Sequence, residues 1–423
     1  MRKICCALAL LLMISMGGCK PRGAEPTGWD SDAALRPTGE TPETTAQTQA
    51  GTLPPSTAPS IAESTTRAKT NSADYKIPAA QEKDLLAKAQ TALNREKKTL
   101  KGTEAVFTFA GDCTIGSFPE CTPKKRFDTL FHADGSPTYP FDLVRGWFQA
   151  DDRTIINFEG TLTTATKMAN KDWRFKGEPG FAKILPESDV EIATLANNHS
   201  QDYLEAGYTD TLKYLTAENI AAGDEGRPVK FAAKGMEFVI LSCNIWPITN
   251  VKQTDAEIAV LCEEISRYAQ EKRAVIVCIH WGIEYAPANS AQKTYARQMI
   301  DAGAELIIGH HPHILQGMEQ YKGKYICYSL GNFAFGGNAA AKPASLETIL
   351  VRPRFEKISG RAVCTGLCVV PCHMTSHPDP KINNYRPMPV FGTQAQQVID
   401  RVLRLSSALP DGIRQLDSFS TGI

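Results

Sequence analysis

The sequence predicts a layered α/β domain over residues 104–408. Three observations point that way. From residue 104 onward, short apolar runs alternate with longer stretches of helical periodicity, the pattern of strands and helices stacked in layers. The runs are almost continuously apolar, as in strands covered on both faces. Five of them end in a carboxylate, amide or imidazole, and in α/β sheets ligands gather beyond the carboxyl ends of strands.

The elements follow in order. Residues 1–19 read as a targeting segment: Arg2 and Lys3 precede an apolar stretch at 4–16 that is too short for a typical membrane span. Gly17 and Gly18 then lead to Cys19, an ending that resembles a bacterial lipobox with Cys19 as the acylation site, although Met16 stands where leucine is usual. Residues 20–75 are rich in Thr, Ser and Pro and cannot bury enough apolar surface to offset their ordering entropy, so they read as a disordered tether. Residues 76–103 read as a helical lead-in with Leu85, Leu86, Ala89 and Leu93 on one stripe.

Strands are expected at 104–110, 154–158, 190–195, 237–243, 274–279, 305–308 and 325–328, and helices at 204–218, 254–272 and 290–302. Gly303 suits the C-cap of the last helix. Residues 345–370 look strand-like, 380–423 give no clear pattern, and 409–423 are set apart as a C-terminal tail.

Composition narrows the function classes. Lysine plus arginine equals aspartate plus glutamate at 46 each, which argues against a nucleic-acid partner. Leaving out Cys5, Cys6 and Cys19, nine of the 12 cysteines remain, an odd number that cannot all pair. Several sit inside apolar runs and read as buried thiols. Cys364, Cys368 and Cys372 are evenly spaced but match no zinc pattern, so they read as core or surface thiols.

The strand-end residues are Asp112 after the first run, Glu159 after "IINF", Asn197, Asn198 and His199 after "IATLA", His280 after "VIVCI", and His310, His311 and His313 after "ELII". Carboxylates with an amide oxygen suit hard or borderline divalent ions, and neutral imidazoles suit zinc, iron or manganese. Five such endings point to one shared site holding one or two metal ions. Two ions there would clamp the attacking and leaving oxygens of a phosphoryl displacement. In an extended "HPH", His311 and His313 would face the same way, with Pro312 stiffening the pair. His132, His373 and His377 lack this context and read as surface residues.

The motifs "FAGDCTIG", "INFEGTLT", "LANNHSQDY", "HWGIEY" and "GAELIIGHHPHILQGMEQYKGKYICYSLGNF" together resemble the poly-γ-glutamate capsule synthesis (CapA-type) family, a branch of the calcineurin-like metallophosphoesterases. The resemblance covers roughly residues 104–336. It implies a four-layered α/β/β/α sandwich with two mixed sheets. It also implies an extracytoplasmic lipoprotein at the bacterial cell membrane, acting in capsule polymer synthesis or export. Its partners would be the membrane, the polyanionic polymer and membrane-bound capsule subunits. Carried over by position, Asp112, Glu159, Asn198, His280, His311 and His313 would be metal ligands and His199 would stand near the substrate as the catalytic residue. Because Gly309 precedes His310, the closing histidine pair can be read one residue earlier.

The departures are specific. The wider superfamily has Asp-x-His where Asp112 is followed by Cys113 and Thr114, glutamate replaces aspartate at 159, and Leu204 stands where the family commonly has glycine. The first two bear on metal number and identity, and a single-metal site stays open. His310, Trp281, Glu284 and Asn332 are candidates for substrate contact, with Tyr285, Ser329 and Gly331 beside them. Lys167, Lys171, Arg174 and Lys176 form a basic cluster that reads either as a solvated surface or as a steering patch for a polyanion. Two functions are carried forward: a metal-dependent hydrolase of a phosphoester or polymer amide bond, and a non-catalytic assembly or export factor that holds polymer.

Overall fold

The structure is a computed structural model that describes residues 75–248, 250–336 and 345–423. The expected signal segment, Cys19 and the tether up to residue 74 lie outside the described residues. The described residues form one compact unit.

The chain begins with α1 (Ala79–Lys97), β1 (Ala105–Cys113), α2 (Phe127–Asp134), α3 (Arg145–Phe148) and β2 (Arg153–Phe158). A small pair, β3 (Thr161–Leu162) and β4 (Lys176–Gly177), precedes α4 (Ile184–Glu187), β5 (Ile192–Thr194), α5 (Leu204–Ala217) and β6 (Ala221–Gly223). Then come β7 (Val229–Ala233), β8 (Met236–Asn244), α6 (Val251–Gln270), β9 (Ala274–His280), α7 (Ser290–Asp301) and β10 (Ala304–His310). The last elements are β11 (Met318–Tyr321), β12 (Lys324–Cys327), β13 (Glu347–Ile358), β14 (Arg361–His373), β15 (Met388–Pro389) and α8 (Gly392–Ser406).

Two mixed sheets stack face to face. The seven-stranded sheet runs β15-β14-β13-β1-β2-β5-β6, and the six-stranded sheet runs β11-β12-β10-β9-β8-β7. In the first, β1, β2, β5 and β6 are mutually parallel while β13 joins β1 antiparallel. In the second, β12, β10, β9 and β8 are parallel, with antiparallel β11 and β7 at the edges.

Three apolar cores fill the three spaces of a four-layered sandwich. One core joins α1, α2, α3 and α5 to the outer face of the first sheet through residues such as Leu93, Leu130, Trp147, Ile156 and Leu215. The middle core lies between the sheets and contains Phe107, Phe109, Ile155, Phe238, Ile276 and Ile308. The third packs α6 and α7 on the second sheet through Ile258, Ile265, Met299, Val275 and Ile307. Along β9, residues 274, 276 and 278 face the middle core while 275, 277 and 279 face the helices. Period-two alternation between two buried faces explains the continuous apolar runs.

Two local expectations are corrected, and the C-terminal segment takes a defined form. The first strand does not stop at residue 110: a bulge between Ala110 and Asp112 lets β1 continue to Cys113 and puts Asp112 inside the strand. Leu86 is exposed, and α1 buries Ala89, Ala92, Leu93 and Glu96 instead. Residues 392–406 form α8, whose Ala395, Val398, Ile399 and Val402 join the middle core. The segment 409–423 packs back on the domain, with Ile413 N–H donating to Met318 O and Val369 N–H to Asp417 O. Among the described residues no helix is long and apolar enough to cross a membrane.

Candidate metal centre

The parallel strands deliver their carboxyl ends to one place. Asp112 is the penultimate residue of β1, Glu159 follows β2, Asn198 and His199 follow β5, His280 ends β9 and His310 ends β10. The two sheets are stitched there by Asp112 N–H donating to Gly331 O at 3.1 Å and Phe333 N–H donating to Asp112 O at 2.9 Å. Gly111 is required at this seam because a Cβ on it would lie 2.0 Å from Gly331 O. Gly309 is in the same position on β10, where a Cβ would lie 2.1 Å from Tyr328 O.

On one side of the site are the carboxylates. Asp112 is fully buried, with Oδ1 3.1 Å from His310 Nδ1 and Oδ2 3.2 Å from His313 Nδ1. Asn157 Nδ2 donates to Asp112 Oδ1 at 2.9 Å and to Glu159 Oε2 at 3.1 Å, so one amide bridges both carboxylates. Burial alone would raise the Asp112 carboxyl, but the bonds from His310 and His313 overcome it and hold it well below its usual range. Burial and the neighbouring Asp112 charge push the Glu159 carboxyl well up. Burial also works against the His313 cation, yet Asp112 and Glu159 outweigh it and raise its pKa to about 9.

On the other side are neutral acceptors. His280 Nε2 lies 2.9 Å from Asn198 Oδ1 and 3.0 Å from His311 Nδ1. Burial, reinforced by the neighbouring rings, drives the His280 pKa well down and that of His311 to about 3. Both rings are therefore neutral and keep a lone pair.

Glu159 Oε1, His280 Nδ1 and His311 Nε2 are buried without a hydrogen-bond partner. Orphaned buried polar atoms are costly, and these three belong to residues that follow or end the converging strands. Single donor atoms of Asp112, Glu159 and His313 lie within 4.8 Å of one another, as do those of Glu284, His311 and His313. The donor set of carboxylate, amide oxygen and imidazole fits a divalent metal ion.

His199 is held by Asp202 Oδ2 at 2.8 Å from Nδ1, and its Nε2 is 3.8 Å from Glu159 Oε1. Burial lowers its pKa against the pull of Asp202. Of the basic cluster, Lys171 alone enters the site: its Nζ donates to Asn198 O at 2.8 Å and pairs with Asp202 Oδ1 at 2.5 Å. Arg174 pairs with Glu120, Lys176 donates to Ala165 O, and Lys167 is exposed.

The other candidates divide. Asn332 Oδ1 accepts from His313 Nδ1 at 2.8 Å, and Glu284 is exposed at the mouth. Trp281 is a correction: it is fully buried in the outer core, its Nε1–H donates to Tyr328 O, and it cannot reach a substrate. Ser329 caps the local backbone by donating to Ile314 O.

His311 and His313 have φ of 94° and 58°, so the segment is not extended. Two left-handed residues, rather than strand alternation, turn both rings inward. In the site His311 joins His280 and, through it, Asn198, while His310 and His313 both contact Asp112. His373 is half-buried at the end of β14, with burial lowering its pKa to about 4, so it is not a surface residue.

Asn157, Asp202 and Trp246 were not anticipated. Asn157 and Glu159 stand two apart along extended chain and share a face, a signal present in "INFEG". Asp202 three residues after His199 was equally visible. Trp246, whose ring lies 4.6 Å from that of His311, carried no signal.

Comparison with known proteins agrees with the motifs. The family described as "Bacterial capsule synthesis protein PGA_cap" matches residues 106–337. PGA biosynthesis protein CapA of Bacillus subtilis (strain 168) is 31% identical over 249 residues, covering 54% of this chain and 62% of that protein. Capsule biosynthesis protein CapA of Bacillus anthracis is 31% identical over 226 residues, covering 47% and 54%. The matched regions span less than two thirds of either relative's length. Among solved structures, a novel phosphatase from Mycoplasma pneumoniae aligns over 67% of this chain and 96% of its own, with 12% identity and a TM-score of 0.40. The calcineurin-like phosphoesterase YfkN from Bacillus subtilis aligns over 71% and 97%, with 11% identity and a TM-score of 0.37.

Proposed function

The chain belongs to the bacterial capsule synthesis protein family, and from that premise we propose that it is a metal-dependent hydrolase of a phosphoester or polymer amide bond in poly-γ-glutamate capsule synthesis or export. In this reading it is held by a lipid on Cys19 at the extracytoplasmic face of the membrane, among membrane-bound capsule subunits. The observation that carries the hydrolase reading is the meeting of Asp112, Glu159 and His313 at the strand ends, with single donor atoms within 4.8 Å of one another.

Asp112, Glu159 and His313 would hold one divalent ion, and Asn198, His280 and His311 would hold a second. Such an ion supplies Lewis acidity toward a phosphoryl or carbonyl oxygen and makes water a competent nucleophile near neutral pH. The chain's own groups do the rest. Asn157 fixes the two carboxylates relative to each other, and Asn332 and Asp112 orient the His313 ring. Asp202 orients His199, whose Nε2 is placed to hold or deliver a proton at a leaving oxygen. Glu284 at the mouth disfavours an anion bound outside the centre.

The assembly-factor reading is favoured by one observation: Thr114 occupies the place of the superfamily's histidine and turns inward to Gly116 O. Elemental analysis separates the two readings. Residues 66–423, purified without chelator and reloaded with manganese, iron or zinc, should carry near-stoichiometric metal, which the His311→Ala/His313→Ala protein should lose. Absence of metal under every loading condition would leave the cleft as a polymer-binding surface. Metal without turnover of phosphoesters or γ-glutamyl polymers would keep the centre and remove the hydrolase.

A further inference from the structure

Glu284 is the exposed member of a second ligand-spaced group. Single donor atoms of Glu284, His311 and His313 lie within 4.8 Å of one another, and His313 is common to this group and to that of Asp112 and Glu159. His311 is 0% exposed and His313 5%, so the group consists of two buried rings with one carboxylate on their solvent side.

An exposed glutamate near histidines signifies little if its loop is free to carry it elsewhere. This loop is fastened. Residues 283–286 form a turn closed by Ala286 N–H donating to Ile283 O at 3.2 Å, with Tyr285 left-handed at φ of 57°. Tyr285 N–H donates to Pro312 O at 2.8 Å, which ties the turn to the residue between the two histidines. Behind it, Gln316 Nε2 donates to Ala286 O at 2.8 Å, and Gln292 Nε2 donates to Gln316 Oε1 at 3.0 Å. Both glutamines are buried. Supporting bonds of this kind hold the side chains of a metal site in place.

A salt link to His313 is the plainer role for Glu284, but that ring is already served. Its Nδ1 lies 3.2 Å from Asp112 Oδ2 and 2.8 Å from Asn332 Oδ1. Two imidazoles and one carboxylate, by contrast, make a complete three-ligand set for zinc or ferrous iron and leave further positions open.

We propose that Glu284 is a metal ligand of this centre, binding one divalent ion together with His311 and His313 from the solvent side. The proposal rests on the metal-centre reading and adds a ligand to it. Thr114 stands at the superfamily's histidine and turns its hydroxyl to Gly116 O, so Glu284 makes up the donor count.

Cobalt(II) binding by residues 66–423 and by their Glu284→Gln variant tests this, read as visible absorption and as affinity in competition with a chromophoric chelator. Glutamine keeps the size and polarity of an exposed side chain, so folding is not at stake. The variant should bind cobalt about tenfold more weakly or worse, since losing even a group that only supports a ligand costs about that much. Its absorption bands should also change as the carboxylate leaves the ion. The weakening should persist at 1 M salt, where the screening length is about 3 Å and a through-space charge counts for little. A parent-like affinity, a parent-like spectrum, or a weakening that salt abolishes would overturn the proposal and leave Glu284 as a charge at the mouth of an intact centre. A parent that takes up no more cobalt than the His311→Ala/His313→Ala protein would sink the centre itself and this ligand with it, a result plainly different from the first.

Discussion

Replacing Arg352 by methionine should cost the domain about 3–5 kcal/mol, the range for leaving a buried charge uncompensated. Arg352 lies on β13 and is fully buried. Its Nε donates to Glu96 Oε1 at 2.8 Å, and its terminal nitrogens donate to Thr108 Oγ1, Trp147 O and Ala150 O. Asp151 Oδ2 lies 3.8 Å away. One side chain thus fastens α1, β1 and the turn after α3 to the first sheet. Methionine keeps the aliphatic volume but strands the Glu96 carboxylate and two carbonyls. At about 2.1 cal/mol/K per residue, a unit of this size has a melting entropy near 0.7 kcal/mol/K, so Tm should fall by about 4–7 °C. Scanning calorimetry of residues 66–423 reads this directly. Adding Glu96→Gln should restore part of the loss, because the stranded charge is then removed. A Tm for Arg352→Met within about 1 °C of the parent would refute the reasoning and reduce α1 to an ornament on the domain.

Three further outcomes follow. Burial raises the Asp151 carboxyl to about 7 despite Arg352 and the hydroxyls of Thr108 and Thr154. Its folded pKa exceeds the unfolded value, so the native state holds the extra proton, stability falls as pH climbs from about 4 to 7, and Asp151→Asn should flatten that slope in denaturant titrations. Leu204 has φ of 56° and a 43% exposed side chain, a backbone conformation that glycine adopts without strain; Leu204→Gly should raise the denaturant midpoint by up to about 1 kcal/mol of stability. Gly111→Ala should cost about 1–3 kcal/mol or more and abolish metal retention, since its Cβ would force β1 away from Gly331; unchanged metal content would show that the seam yields without disturbing Asp112.

The layers were legible because burial on two faces writes itself as continuous apolar runs. So was the meeting of the strand-end side chains, because parallel strands bring their carboxyl ends to one edge whatever the order of the strands between them. What escaped was decided by tertiary packing. The stripe of α8 is present at 395, 398, 399 and 402, but no capping residue announces its start and Gly392 argues against one. The apolar Leu86 looked like part of a buried stripe, and only the crossing of α1 over the first sheet chooses Ala92 and Glu96 instead. The "HPH" segment reads as extended because proline fixes its own φ, whereas His311 and His313 adopt left-handed turns where their rings meet His280 and Asp112. Lys171 was indistinguishable from its basic neighbours until the β3–β4 connection folded it onto Asp202.

The stitching of β1 to the segment after β12 has a mechanical meaning. Asp112 and His310, which supports it, are 198 residues apart in the chain and belong to different sheets, so the site exists in neither sheet alone. An ion bound across that joint would act as a rivet, stabilising the docked pair by mass action and leaving each separate half untouched. Opening of the molecule would then begin at the rivet line, with the sheets parting before either one frays. Amide exchange at Asp112 and Phe333, whose N–H groups cross the line, would be its gauge.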